Sequence, residues 1–277
     1  MDTIGREHCL DDCAVFPFRG TNIVASTDML HEKADFPAGM TDGQRGWMSV
    51  AVTLSDIAAM GAQPCIVMLA VGLDRGGRLS EILQGAKECC DKYGAVLAGG
   101  DLDAHTELTM VSSGIGFTDH PVWRAGSRPG DLICVTGVPG RAQAALAGYH
   151  QYDPFLFEPQ PMVREGAFLA EAGVTSMMDN SDGLVISLYD MLEANPGCGY
   201  IIDTKSLPVV PGIPPDEGRN FSLYGGGDFG LICTCPPGMQ LPRELDTHVI
   251  GSVIEGNTVL VDGKEANIKG YQHVWND

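Results

Sequence analysis

From Thr41 to Met60 the chain repeats apolar side chains at helical spacing, with Trp47, Val50, Leu54, Ile57 and Ala58 on one face. Strand-like runs flank it, Asn22 to Ser26 ending at Thr27-Asp28 and Ile66 to Val71. A helix with one apolar stripe must bury that stripe against another element, and a sheet made from its neighbours is the simplest partner. The alternation continues with a helix over Leu79–Tyr93, a short strand over Ala95–Ala98 and a strand over Glu107–Phe117. A turn-rich joint, His120 to Gly130, follows. Beyond it the pattern predicts strands at Leu132–Thr136, ending at Asp179, and at Phe229–Thr234, His248–Ile254 and Thr258–Val261. Helices are expected over Arg141–Tyr149, Pro161–Ala172 and Leu184–Glu193, with a Pro/Gly-rich loop over Leu207–Gly218. The expectation is two α/β or α+β domains, residues 1–120 and 121–277.

Charge narrows the function. Seventeen basic against 36 acidic residues give a net charge of −19, which repels nucleic acid backbones and anionic lipid. No apolar run approaches the roughly 20 residues that span a bilayer. The N-terminus carries no basic segment followed by an apolar one, so a cytoplasmic location is expected. Nine cysteines without a CxxC pair argue against zinc and fit a reducing compartment. Asp outnumbers Glu by 23 to 13, although helix surfaces favour Glu. The excess belongs in turns and at strand ends, either as solvated loop acids or as oxygen ligands for a hard cation such as magnesium.

Walker-type and Rossmann-type phosphate loops are absent, and so is a GxSxG nucleophile elbow. The Thr136–Gly140 turn, TGVPG, opens a helix and reads equally as an anion seat or a plain glycine turn. Several aspartates stand where chemistry could use them: Asp11-Asp12, Asp28, Asp101 after Gly99-Gly100, and Asp179 and Asp182 around Ser181. Each has a bland reading too, Asp182 as a helix N-cap and Asp101 as a turn residue. Asp56 is harder to dismiss, because VAVTLSDIAAMGA surrounds it with apolar residues. A carboxylate there needs a hydrogen-bonded structural role or a cation.

Five strings occur in order: STDML (Ser26–Leu30), LSDIAAMGAQP (Leu54–Pro64), AGGD (Ala98–Asp101), RxGxxPGDxIxVTGxxG (Arg124–Gly140) and DNSDGL (Asp179–Leu184). Together they resemble the thiamine-monophosphate kinase family of the aminoimidazole-ribonucleotide-synthetase-like superfamily. The resemblance implies a two-domain fold whose N-terminal domain forms a barrel across a homodimer, with ATP and several Mg2+ ions in the cleft between domains. It implies that Asp12, Ser26, Thr27, Asp28, Asp56, Asp101, Asp179 and Asp182 match magnesium ligands, with Asp56, Asp179 and Asp182 carrying the catalysis. Gly100, Asp101, Arg124 and Ser181 match ATP contacts. The implied reaction is direct in-line phosphoryl transfer from ATP to thiamine monophosphate.

The acceptor side departs from the family pattern. The substrate-side His falls at Asp35, the GGED element reads Gly225-Gly226-Gly227-Asp228, and the C-terminal aromatic aligns with Val274, beside Trp275. The opening GDD reads Leu10-Asp11-Asp12, so the helix that usually precedes it is expected to be missing or short. These departures leave two alternatives open: an ATP-dependent enzyme of the same superfamily with another acceptor, or a nucleotide-binding regulatory homologue.

Overall fold

The computed structural model describes Thr3, Gly5, residues 10–268 and Gly270. Most of the segment before Leu10, where the family's helix is expected to be missing or short, and the candidates Val274 and Trp275 lie outside the residues so described. The chain divides into two compact units, one formed by Asp12–Pro121 with Phe157–Ala167, the other by the remainder.

The first unit holds β1 (Ala14–Phe18), β2 (Thr21–His31), α1 (Asp42–Ala59), β3 (Gln63–Leu73), α2 (Leu79–Tyr93), β4 (Val96–Leu97), β5 (Leu102–Ala104) and β6 (Thr109–Thr118). Its sheet runs β1-β2-β6-β3, all antiparallel, and β4 and β5 both lie parallel to β3. Local chemistry accounts for the helix ends. Thr41 and Gln44 form a reciprocal capping box at the start of α1, and left-handed Gly94 closes α2. Val50, Leu54, Ile57 and Ala58 of the α1 stripe are fully buried in one core with Val67, Leu69 and Val71 of β3, and Trp47 packs against it partly buried.

Strand β2 continues past Ser26, where the sequence pattern ended it. β6 supplies a partner for every residue from Asn22 to His31, so pairing carries the strand through polar Ser26-Thr27-Asp28. Those three residues are therefore mid-strand and point alternately to opposite faces.

The second unit contains β7 (Leu132–Thr136), α3 (Arg141–Leu146), α4 (Asp153–Phe157), α5 (Val163–Ala172), β8 (Ser176–Asp179), α6 (Leu184–Ala194), β9 (Cys198–Ile202), α7 (Pro215–Tyr224), β10 (Leu231–Cys235), β11 (Thr247–Glu255), β12 (Val259–Val261) and β13 (Lys264–Glu265). α4 and α5 cross the Leu156/Phe157 and Ala167/Phe168 division points. The sheet order is β13-β12-β9-β11-β7-β10-β8. Two expectations need correction. The third helix stops at Leu146 rather than Tyr149, because Gly148 turns left-handed. The expected loop over Leu207–Gly218 gives way to α7 at Pro215, where proline at the first helical position and Asp216 and Glu217 in the first turn favour a helix start.

Candidate active site

In the first unit the site grows from the packing of α1 on the sheet. Thr53 and Asp56 lie one helical turn apart and both reach β2. Thr53 Oγ1 donates to Asp28 Oδ2 at 2.7 Å, and the Ser26 hydroxyl donates to the Asp56 carboxylate. Thr53 also pairs with the buried Ser112 hydroxyl on β6. Thr27 faces the other way, its hydroxyl bonded to Ser112 O at 3.0 Å and Ser113 Oγ at 2.9 Å. Its side chain is thus separated from the Ser26, Asp28 and Asp56 group.

Asp12, just before β1, and Asp56 bring carboxylate oxygens within 4.8 Å of each other. At that separation two ionised carboxylates repel by about 3 kcal/mol at an effective dielectric near 20. Burial raises the Asp28 carboxyl above its usual value, with the Thr53 bond opposing the rise. Convergent oxygen donors that are costly to keep ionised suit a hard divalent cation. Asp56 is half-buried and hydrogen-bonded, so its helix tolerates it without a basic neighbour in the sequence.

Asp101 comes from a different element. Residues 98–101 run beside β3, with Leu69 N donating to Gly99 O and Val71 N to Asp101 O, each at 2.9 Å. Gly100 approaches β3 so closely that a Cβ would stand 1.8 Å from Leu69 O. No other residue type allows that contact. Gly100 and Asp101 line a groove of about 900 Å³ together with Leu69, Leu83, Gln84 and Lys87.

In the second unit Asp179 ends β8, is 3% exposed, and accepts from Ser181 Oγ at 3.1 Å. Its neighbour Asn180 is buried with an Oδ1 that has no hydrogen-bond partner. Asp182 is not the N-cap of α6: that position is Gly183, and no side chain caps the helix. The glycine loop after α7 packs on this segment, with Gly227 N donating to Ser181 O at 2.7 Å. Gly227 has φ 87°, where a glutamate would be strained by about 1–2 kcal/mol. Arg124 is held by its backbone, its N–H donating to Asp11 Oδ1 at 2.7 Å.

Two amides of the TGVPG turn are filled from within the chain, Gly137 N by Asp246 O at 2.8 Å and Gly140 N by Asp228. Asp228 accepts from Gly140 N at 2.5 Å and Ala142 N at 3.1 Å, which makes the turn a structural one. Burial pushes the Asp228 carboxyl up to about 6 despite those bonds. Asp35 also has a structural job: its carboxylate accepts from His31 N at 2.6 Å and closes the turn after β2. Thr53 and Ser112 were not among the sequence candidates. The spacing of Thr53 three residues before Asp56 was the available signal for one of them.

The family described as AIR synthase related protein, N-terminal domain, matches residues 10–118. The thiamine-monophosphate kinase of Methanospirillum hungatei is 50% identical over 273 residues, 98% of this chain and 95% of that protein. The enzyme of the same name from Halobacterium salinarum is 39% identical over 82% of this chain and 80% of its own length. A solved structure described as AaThiL complexed with AMPPCP and TMP superposes with a TM-score of 0.91 at 25% identity, covering 99% of this chain and 94% of that one. With half its residues identical to those of a relative matched almost end to end, the chain belongs to the thiamine-monophosphate kinase family.

Proposed function

We propose that this protein phosphorylates thiamine monophosphate to thiamine diphosphate at the expense of ATP. The carrying observation is near-full-length similarity to thiamine-monophosphate kinases, joined to likeness with a relative solved with AMPPCP and TMP. The acceptor is a phosphate oxygen already ionised at neutral pH, so the reaction needs no general base. The reactants are both anionic, so the demand is for charge neutralisation and alignment.

The carboxylates meet that demand through Mg2+, with Asp12, Ser26, Asp28 and Asp56 as the first unit's contribution and Asp101 as another. Asp179 and Asp182 are the second unit's candidates for the same role, on a segment where the buried Asn180 Oδ1 is unpartnered. Bound magnesium would neutralise phosphate charge and orient an in-line displacement. Thr27 enters this reading only through its backbone, since its hydroxyl is turned away. Gly100 and Asp101, which line a groove, and Arg124 and Ser181 of the second unit are assigned to ATP by the resemblance. On the acceptor side Asp35 carries the negative charge that Gly227 lacks, in addition to locking its turn. Val274 and Trp275 are assigned there by the resemblance alone.

The exposed apolar side chains on one face of the first sheet support a homodimer. Register places Phe16, Ile23 and Phe117 in one row, Ala25, Ile115 and Ile66 in the next, and Met29, Val111 and Ala70 beyond. Phe16 is 47% exposed, Met29 56% and Met68 46%. An apolar sheet face of this extent calls for a partner, and a second copy closing a barrel supplies one. No helix among the described residues is long and apolar enough to cross a membrane. The described cysteines are all free, which fits a cytoplasmic setting.

Incubating the protein with ATP, Mg2+ and thiamine monophosphate, and following thiamine diphosphate, tests the activity. Formation of ADP without thiamine diphosphate would redirect the search to another acceptor.

A further inference from the structure

We propose that Asn195 is a positioning residue for ATP binding, acting through Arg124. The proposal rests on the reading of Arg124 as an ATP contact.

Asn195 follows the last turn of α6 and is 5% exposed. Its amide reaches the segment that carries Arg124, some 70 residues away in sequence. Nδ2 donates to Arg124 O at 2.7 Å, and Oδ1 accepts from Gly126 N at 2.7 Å and Ser127 N at 2.9 Å. The second Nδ2 hydrogen returns to Met191 O at 2.8 Å. A carboxamide offers two donors and an oxygen with two lone pairs, and all four are used. Neither Asp nor Leu, the two side chains of similar size, can provide both halves of that pattern.

The holder is itself fixed. Asn195 N donates to Leu192 O at 3.2 Å, and Asn195 O accepts from Cys198 N at 3.1 Å, so the residue is pinned between α6 and β9. The held segment follows a single course. Met177 N donates to Trp123 O at 2.9 Å, and a Cβ at Gly126 would stand 2.1 Å from Thr175 O. Arg124 therefore has its N–H on Asp11 and its C=O on Asn195. A long flexible side chain binds a nucleotide with less entropic loss when its backbone is already oriented. Helix α6 starts directly after Ser181-Asp182-Gly183 and ends at this clamp, so one rigid element joins two segments assigned to ATP.

The test is a double-mutant cycle read in steady-state kinetics. Arg124→Ala alone examines the underlying reading: it should raise KM for ATP by about tenfold or more, with KM for thiamine monophosphate within about twofold. If it does not, Arg124 is not an ATP contact and the proposal falls with that reading. Where it does, Asn195→Ala should raise KM for ATP by about tenfold and spare the other substrate, because small displacements of a binding group cost rate steeply. Asn195→Ser guards against a folding defect. Its hydroxyl can still reach Met191 O and finish the helix, while the bonds to 124–127 are lost. It should reproduce the alanine phenotype while still unfolding in one cooperative transition above the assay temperature, its midpoint lowered by the lost bonds. Added to Arg124→Ala, either substitution should change KM for ATP by less than about twofold. Additive losses, equal losses for both substrates, or a normal KM for ATP in folded Asn195→Ser would each overturn the positioning role.

Discussion

Thr53 Oγ1 on α1 donates to Asp28 Oδ2 on β2 at 2.7 Å, across 25 residues of sequence. One turn further along the same helix, Asp56 accepts from Ser26 on the same strand. These two bonds lock a helix to a strand at the place where the acidic group gathers. They hold carboxylates in position that burial and mutual repulsion would otherwise disperse.

Removing the charge at the helix should stop the chemistry without unfolding the protein. Asp56→Asn keeps the shape and an acceptor for Ser26. Thiamine diphosphate formation should fall at least about a hundredfold, the scale seen when a group that offsets transition-state charge is lost. Asp182→Asn should weaken turnover severely as well. Circular dichroism should show both folded, and normal turnover in both would remove the shared magnesium set.

Acid stability should depend on Arg78. This guanidinium is 5% exposed and donates to Glu32 at 2.7 and 3.1 Å, to Asp42 at 2.8 to 3.1 Å and to Asp74 at 2.8 Å. The Arg78 bonds lower the Glu32 and Asp74 carboxyls; at Asp42 burial pushes upward, and the bonds and charges of Arg78 and Arg45 together outweigh it. Carboxyls lowered in the fold add stability above their unfolded values, 4.5 for Glu32 and 3.8 for the two aspartates, and lose it as pH falls through the folded ones. Arg78→Met should lower stability at neutral pH, because it leaves three neighbouring, partly exposed carboxylates without their shared cation. Its deficit should shrink below pH 4, measured by urea unfolding across pH.

The open sheet face should be the dimer interface. Ile115→Asp places a charge in the central row, away from the carboxylates on α1 and β2. Sedimentation should show a dimer for the parent protein at micromolar concentration and a monomer for the variant. A monomeric parent would count directly against the barrel.

Asp35 separates turn chemistry from acceptor recognition. If its charge also reads the cationic thiamine moiety, Asp35→Asn should raise KM for thiamine monophosphate by about tenfold, near 1.4 kcal/mol. The amide oxygen can still accept from His31 N and keep the turn. KM for ATP should stay level. An unchanged KM for both substrates would leave Asp35 with the turn alone.

Much of this protein is written locally. Helices α1 and α2 follow from apolar spacing, from Thr41 with Gln44 at one end and from Gly94 at the other, all within a few residues of what they control. The ordered strings around Asp56, Asp101 and Asp179 were likewise enough to indicate the family. Tertiary structure decided the rest. β2 runs on to His31 because β6 pairs with it, and Thr27 turns from the acidic group because that pairing makes it mid-strand. Asp228 accepts from the Gly140 amide of TGVPG across 88 residues, and Asn195 clamps Arg124 across 71. Periodicity and capping act between neighbours in the chain, so a sequence displays them directly. A hydrogen bond between distant residues exists only once packing has brought its donor and acceptor together, and nothing local announces it.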